Sequence, residues 1–249
     1  MNINSNTILI TGGTSGIGLE LASKLINLGN TVIVTGRDQK KLDEVKNRFP
    51  SIHIFKCDVS KQEEIEDLHK EVIKKFPNLN FLINNAGIVQ ELDFKNKQID
   101  LNKISSEITI NFTGSIQMVS LFSKHLQGRK ISAILNVSSA LAFVPVVMTP
   151  VYSATKAAMH SFSQSLRMQL QETSVKVFEV APPVIKTPLM DNLGYDHVKG
   201  SNPMNTEDLV EIIMKNLKDD NFEILPGQSK ILKLISRIAP NFAVNNLNK

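Results

Sequence analysis

The sequence predicts an α/β fold in which a doubly wound parallel sheet of about seven strands is flanked by helices on both faces. Three observations carry that expectation. Short apolar runs alternate with longer stretches of helical period, the pattern of a βαβ array. A glycine-rich turn directly follows the first apolar run and opens the first helical stretch. Small and polar residues follow most later runs, where an open parallel sheet presents its ligands, at the carboxyl ends of its strands.

In chain order, Thr7–Ile10 reads as the first strand and Gly16–Leu28 as a helix stopped by Gly29. Thr31–Thr35 is the second strand, followed by a helix that Asp38 caps and that places Leu42, Val45 and Phe49 on one face. Ile52–Phe55 is the third strand. Ser60-Lys61-Gln62-Glu63 has the form of a capping box ahead of Ile65, Leu68, Val72, Ile73 and Phe76. Leu79–Ile83 makes the fourth strand, residues 101–126 one long helix, and Ile131–Val137 the fifth strand.

Thr149-Pro150 is an N-cap with proline at the first helical position. It starts a helix with Ala154, Ala158, Phe162, Leu166 and Leu170 four apart. Val175–Val180 is the sixth strand, and 182–205, rich in Pro, Gly and Asn, reads as a loop. Thr206–Leu217 is helical, Phe222–Leu225 a seventh strand, and Lys230–Ile238 a final short helix. No linker or internal repeat interrupts the series, so residues 1–249 are expected to form one domain.

Composition narrows the function. At 42% hydrophobic and 21% charged, the chain fits a soluble globular protein rather than a disordered or fibrous one. The single cysteine, Cys57, excludes an internal disulfide framework. With no basic and apolar leader at the start, a cytoplasmic protein is expected. No apolar stretch approaches the roughly 20 residues of a membrane span. With no Trp and few aromatics of any kind, nucleic-acid recognition has no support. His53, His69, His125, His160 and His197 have no ligand spacing, so no metal is expected, and Cys57 reads as a small apolar residue. The net charge of +4 equals the contribution of Lys230, Lys233, Arg237 and Lys249, because 224–249 contains no acid. That basic segment reads as a solvated helix face packed on the body or on another subunit; contact with an acidic membrane surface is the alternative.

Two motifs carry chemistry. The run Thr11-Gly12-Gly13-Thr14-Ser15-Gly16-Ile17-Gly18 lies between a strand and a helix. Glycines there let the backbone approach a pyrophosphate whose charge sits at the helix N-terminus. The run Tyr152-Ser153-Ala154-Thr155-Lys156 sets a phenol and an ammonium one helical turn apart. A free phenol, with a pKa of about 10, needs roughly 4 kcal/mol of help to ionise near neutrality. An ammonium at about 4 Å supplies that much at an effective dielectric near 20, with burial acting against it. Ser139 stands thirteen residues upstream at the end of the fifth strand, with Ser138 as its rival. Asp58-Val59 follows the third strand, Asn84-Asn85-Ala86-Gly87 the fourth, and Asn111 lies within the long helix.

With these residues the chain resembles a classical short-chain dehydrogenase/reductase on a Rossmann-type fold over essentially its full length. The resemblance implies roles. Tyr152 would donate or accept the proton, Ser139 would bond the substrate oxygen, and Lys156 would lower the Tyr152 pKa and hold the nicotinamide ribose. Asn111 would anchor a relay water. Gly12, Thr14, Ser15, Gly16, Ile17 and Gly18 would cradle the pyrophosphate, Asp58 and Val59 would meet the adenine, and Asn85, Ala86 and Gly87 the adenosine ribose side. Val184 and Thr187 would meet the carboxamide. A dimer or tetramer is also implied. Asn85-Ala86-Gly87-Ile88 followed by Asp93-Phe94, the run Leu141-Ala142-Phe143, and Ala181-Pro182-Pro183 look most like the DltE-type branch. The family usually has Pro-Gly where this chain has Pro182-Pro183, and a second proline removes a backbone donor beside the Val184 and Thr187 contacts.

For the cofactor, an acid at the end of the second strand would select NAD(H) through the adenosine ribose. Gly36 stands there, followed by Arg37, whose guanidinium can fork onto a 2′-phosphate. NADP(H) is therefore expected, with NAD(H) as the alternative. Leu141, Phe143, Val144, Val146, Met148, Leu189, Met190 and Met204 suggest a pocket for a small, mostly apolar carbonyl or alcohol. Hydride transfer is the expected activity; a non-catalytic NADP(H)-binding regulatory protein on the same fold is the alternative.

Overall fold

The computed structural model describes residues 1–95, 98–191 and 203–248. Its strands are β1 (Thr7–Thr11), β2 (Thr31–Gly36), β3 (His53–Lys56), β4 (Leu79–Asn84), β5 (Ser132–Val137), β6 (Val175–Val180) and β7 (Glu223–Ile224). They form one sheet in the order β3-β2-β1-β4-β5-β6-β7, and every pairing is parallel. The chain winds from β1 outward to β3, then returns to the opposite side of β1 for β4. Strand direction of travel thus reverses between β1 and β4, where an open sheet leaves a crevice at its carboxyl end.

Strand residues alternate between the two faces. Ile8, Ile10, Val32, Val34, Phe81, Ile83 and Phe178 belong to one core, and Leu9, Ile33, Leu82, Ile134 and Val177 to the other. Helices α1 (Gly16–Asn27), α2 (Gln39–Arg48) and α8 (Thr206–Lys218) supply Leu21, Leu42 and Leu209 to the first core. Helices α3 (Gln62–Lys75), α5 (Gly114–Gln127) and α6 (Pro150–Gln169) supply Ile65, Phe122 and Leu166 to the second. Burial on both sides explains why the strands read as continuous apolar runs. Each fully buried side chain of this size stabilises by roughly 2 kcal/mol.

Several expectations need correction. The long helix over 101–126 is continuous in path but not in winding: α4 (Leu101–Ile108) passes into a π turn (Thr109–Thr113) before α5. Ile131 stands outside β5, and the seventh strand shrinks to two residues. The capping box does not form. The Ser60 hydroxyl donates to Asp58 Oδ1 (2.7 Å) and Glu64, not Glu63, accepts the Asp58 N–H (2.8 Å). Thr149 is the N-cap of α6 by position, yet its hydroxyl makes no capping bond and is buried without a partner. Asp38 caps α2 as expected, accepting from the Lys40 and Lys41 N–H groups.

The loop over 182–205 contains the short helix α7 (Pro188–Asp191) and a parallel bridge of Ile185 to Met204; its stretch 192–202, with His197, lies outside the described residues. Beyond β7 the chain forms α9 (Ser229–Ile238) and then α10 (Pro240–Leu247), a helix not expected. The basic segment is not simply a solvated face. Lys233 turns inward to pair with Glu223, whereas Lys230 and Arg237 stay exposed beside Ile231, Leu234 and Ile238; Lys249 lies outside the described residues. Asn248 closes the C-terminal turn against the 145–147 segment, accepting the Val147 N–H at 2.7 Å and donating to the Pro145 carbonyl at 3.0 Å. No helix among the described residues is long and apolar enough to cross a membrane.

Candidate active site

The glycine-rich turn leaves β1 with Gly12 at φ +65°, a conformation that only glycine adopts without strain. A side chain there would also strike the Ala86 backbone. The turn is held down by β4. The Thr11 hydroxyl oxygen accepts the N–H groups of Asn85 (3.0 Å) and Ala86 (3.1 Å), and the Asn85 amide donates to the Thr11 and Gly12 carbonyls at 3.0 Å each. The Asn85 main-chain N–H and side-chain nitrogen are thereby both used inside the protein. Ser15 takes the N-cap position of α1 in an extended conformation, and its side chain makes no capping bond. The first N–H groups of α1 therefore lack a side-chain partner, which suits an anionic group at that end. Thr14, Ile17 and Gly18 line the same turn, and Thr187 packs against Gly16, bringing the segment after β6 to it.

On the rim beyond β2 and β3, Arg37 is exposed and Asp58 half-buried. Burial alone would raise the Asp58 carboxyl. The Ser60 N–H and hydroxyl outweigh it, with the Arg37 and Lys61 cations, and hold the group below its ordinary range. A side chain at Gly36 would press on Thr14, so the end of β2 sits directly under the turn. Val59 is buried. Cys57, also buried, has its thiol pushed up to about 12, first by burial and then by the Glu64 and Asp58 charges, which leaves it inert as a nucleophile.

The reactive groups gather at the ends of β4 and β5. Ser139 caps a 3-10 turn (Ala140–Ala142), accepting the Leu141 N–H at 3.2 Å, and its hydroxyl is a hydrogen-bonding influence on the Tyr152 phenol. Ser138 points elsewhere, donating to Glu179 Oε1 at 2.5 Å and to the Val180 carbonyl at 3.1 Å. Lys156 is buried, donates to the Val137 carbonyl at 2.9 Å, and lies 5.5 Å from the centroid of the Tyr152 ring.

Burial opposes the lowering of the Tyr152 pKa that is expected from Lys156. Burial pushes the phenol up to about 12; the Ser139 bond pulls down, and the Glu107 charge pushes further up. The ammonium lies 5.5 Å from the ring centroid, and desolvation is the largest influence on the phenol. Lys156 in turn is lowered to about 8 by burial, against the opposing charges of Glu107 and Glu179.

Asn111 sits in the π turn with its side chain fully engaged. Its oxygen accepts the Ile88 N–H (2.8 Å), and its nitrogen donates to the Ile88 carbonyl (2.8 Å) and to Thr155 Oγ1 (3.2 Å). The Asn111 amide and the Lys156 ammonium both converge on Gly87. The structure thus brings Asn111, Ser139, Tyr152 and Lys156 to one place, with Ala86 and Gly87 as its floor. Val184 and Thr187 approach from β6, where the Val184 carbonyl accepts the Met204 N–H at 3.0 Å.

Part of the expected apolar pocket is core instead. Val144 is fully buried and Met204 packs on the first core, while Phe143, partly exposed, lies edge-on to His160 at 5.0 Å. Leu141, Val146, Met148, Leu189 and Met190 remain partly exposed.

Two groups escaped the sequence. Glu107 is wholly buried beside the reactive set. His160, Glu179 and Glu223 come together with ligand atoms within 4.8 Å of one another, from one helix and two strands. Spacing along the chain gives no hint of that group, and the Lys233 ammonium, paired to Glu223, already supplies a positive charge there.

Comparison with known proteins agrees with this geometry. The sequence profile described as short chain dehydrogenase matches residues 6–197. An uncharacterized oxidoreductase, DltE, of Bacillus subtilis (strain 168) is 44% identical over 224 residues, covering 90% of this chain and 89% of that protein. An uncharacterized oxidoreductase of Staphylococcus epidermidis (strain ATCC 35984) is 29% identical over 209 residues, covering 84% of this chain and 90% of that protein. Among solved structures, a short chain dehydrogenase from Burkholderia cenocepacia J2315 in complex with NADP superposes with a TM-score of 0.86 at 22% identity, covering all of both chains. One from Burkholderia phymatum in complex with NAD reaches the same TM-score at 17% identity, covering all of this chain and 97% of that one. On its sequence, its sheet and its clustered Ser139, Tyr152 and Lys156, the chain belongs to the short-chain dehydrogenase family of oxidoreductases.

Proposed function

We propose that the chain, as one domain, transfers a hydride between NADP(H) and the carbon of a carbonyl or secondary alcohol, with Tyr152 as the general acid and base. The observation that carries this reading is the gathering of Ser139 and Tyr152 beside a buried Lys156, which donates to the Val137 carbonyl and lies 5.5 Å from the Tyr152 ring, at the carboxyl end of the sheet. Two hydroxyls there can both bond one substrate oxygen, and the phenol proton can pass to that oxygen in reduction. With its pKa near 12, the phenol is protonated at neutral pH and ready to act as an acid. When bound, the nicotinamide supplies or takes the hydride, and its oxidised ring adds a positive charge that favours phenolate. Lys156 would hold the nicotinamide ribose, and Asn111, through its place in the π turn, would anchor a relay water. The uncapped start of α1 and the close-packed glycine turn would hold the pyrophosphate, with Asp58 and Val59 at the adenine, Asn85, Ala86 and Gly87 at the adjoining ribose, and Val184 and Thr187 at the carboxamide.

The preference for NADP(H) over NAD(H) rests on Arg37 and Gly36. Arg37 is exposed at the rim, and no acid stands at the end of β2, where a side chain would press on Thr14. Replacing Arg37 with glutamate is expected to reverse the order of kcat/KM for NADPH and NADH; an unchanged ratio would remove Arg37 from the cofactor site.

The substrate is read as small and mostly apolar because Leu141, Val146, Met148, Leu189 and Met190, in the segments that follow Ser139 and β6 and precede Tyr152, are partly exposed. A homo-oligomer is consistent with exposed Ile231, Leu234, Ile238 and Phe242. A panel of carbonyl compounds with NADPH, followed by loss of the reduced cofactor's absorbance, tests the whole reading. Turnover of apolar ketones or aldehydes is expected; turnover restricted to highly charged compounds would overturn the substrate class, and none at all the activity.

A further inference from the structure

Glu107 occupies an unusual position for an acid. It is completely buried, one helical turn before Asn111. Both residues grip the segment that continues from Gly87. Asn111 holds both main-chain groups of Ile88, and Glu107 Oε1 accepts the Gln90 N–H at 2.9 Å. Ile88 and Gln90 are two residues apart, so the pair forms a two-point clasp on the strip of chain that floors the reactive cluster. The other carboxyl oxygen, Oε2, is buried and has no hydrogen-bond partner. A buried carboxylate with one oxygen unpaired is costly, so this group holds a proton or draws on a nearby cation.

Helix α4 packs directly on α6, which carries that cation. The titratable groups of α6 whose fields meet Glu107 are Lys156 and Tyr152. On the clasped segment its contact is Gln90, which is neutral, and Glu179 of β6 acts on the same Lys156.

We propose that Glu107 is an ionisable positioning residue of the active site, which clasps the 88–90 segment and, through its charge, sets how readily Lys156 and Tyr152 give up their protons. The inference rests on the reaction proposed above, in which those two residues act. Burial carries the Glu107 carboxyl up to about 7, against the pull of the Gln90 N–H and the Lys156 cation. Its charge therefore switches within the working range. Above that midpoint the carboxylate holds protons on Lys156 and Tyr152 and so makes the phenol the weaker proton donor; below it the carboxyl is neutral and that restraint is lifted. The step is a proton leaving Oε2 for solvent as the pH rises, with no bond to substrate.

Glu107→Gln tests this, because an amide oxygen still accepts from Gln90 but carries no charge; Glu107→Ala removes both. In the full chain, infrared difference spectra should show a protonated carboxyl lost near pH 7, absent from Glu107→Gln. Lysine side-chain NMR should show the Lys156 midpoint, about 8 in the unmodified chain, moving to lower pH in Glu107→Gln by at least about half a unit. In turnover, Glu107→Gln should lose the pH dependence centred near 7 while keeping KM, and Glu107→Ala should raise KM as well. A carboxyl signal that persists in Glu107→Gln, or a Lys156 midpoint that does not move, overturns the proposal. Absence of turnover in every variant and in the unmodified chain, with both spectroscopic results as expected, would sink the proposed reaction and leave the charge coupling standing.

Discussion

Tyr152→Phe is expected to lower kcat for carbonyl reduction at least about a thousandfold, the upper part of the range for losing a positioned proton donor. The substitution removes one oxygen and little else. Ser139 still accepts the Leu141 N–H, and the ring still lies against the Lys156 ammonium. Thermal stability and dinucleotide binding, read by calorimetry and by fluorescence of the reduced cofactor, should therefore remain close to those of the unmodified chain. The loss should fall on kcat and kcat/KM alike, because the phenol proton is needed only as the transition state forms. Retention of most of the turnover with the hydroxyl gone would mean that the proton comes from another group.

Gly18→Ala is expected to carry the second large effect, on stability and cofactor binding together. A Cβ at position 18 would lie 2.4 Å from the Gly12 carbonyl oxygen and 2.5 Å from the Asn85 amide nitrogen. The first is backbone and cannot rotate aside. The second is fixed by its bonds to the Thr11 and Gly12 carbonyls. The turn must lift away from α1, at an overpacking cost of about 2 kcal/mol. For a chain of this length that lowers Tm by roughly 4–8 °C. Because the same movement displaces the N–H groups proposed to hold a pyrophosphate, titration with NADPH should show weakened binding even well below Tm. An alanine variant with unchanged Tm and unchanged affinity would show that the turn has slack which the packing does not reveal.

The sheet was legible because its strands are buried on both faces, and such strands must be written as unbroken apolar runs between punctuating glycines and polar residues. The glycine turn was legible because a backbone at φ +65° beside Ala86 admits almost nothing but glycine. What escaped depends on contacts between residues distant in sequence. Ser60 and Glu63 satisfy the pattern of a capping box, but Asp58 takes the Ser60 hydroxyl and Glu64 takes the Asp58 N–H. The ammonium one helical turn from Tyr152 is visible in sequence, whereas the burial that raises the phenol is not. Val144 has the apolar character of a pocket lining, and only its complete burial in the folded chain shows that it is packing. Glu107 looks, from sequence, like any acid on a polar helix. Its isolation from water is a property of α6 lying over it.

The π turn at Thr109–Thr113 fixes the length of this helix as firmly as any side chain fixes its chemistry. Each residue of an α-helix advances the winding by about 100°. A turn wound from i to i+5 takes up one residue more than an α turn does. Excising one residue there would return the stretch to ordinary α winding, with Met118, Phe122 and Leu126 still on their core and the backbone around Asn111 drawn tighter. Insertions or deletions elsewhere along α4 and α5 have no such turn to take them up and would swing the residues upstream round by that angle.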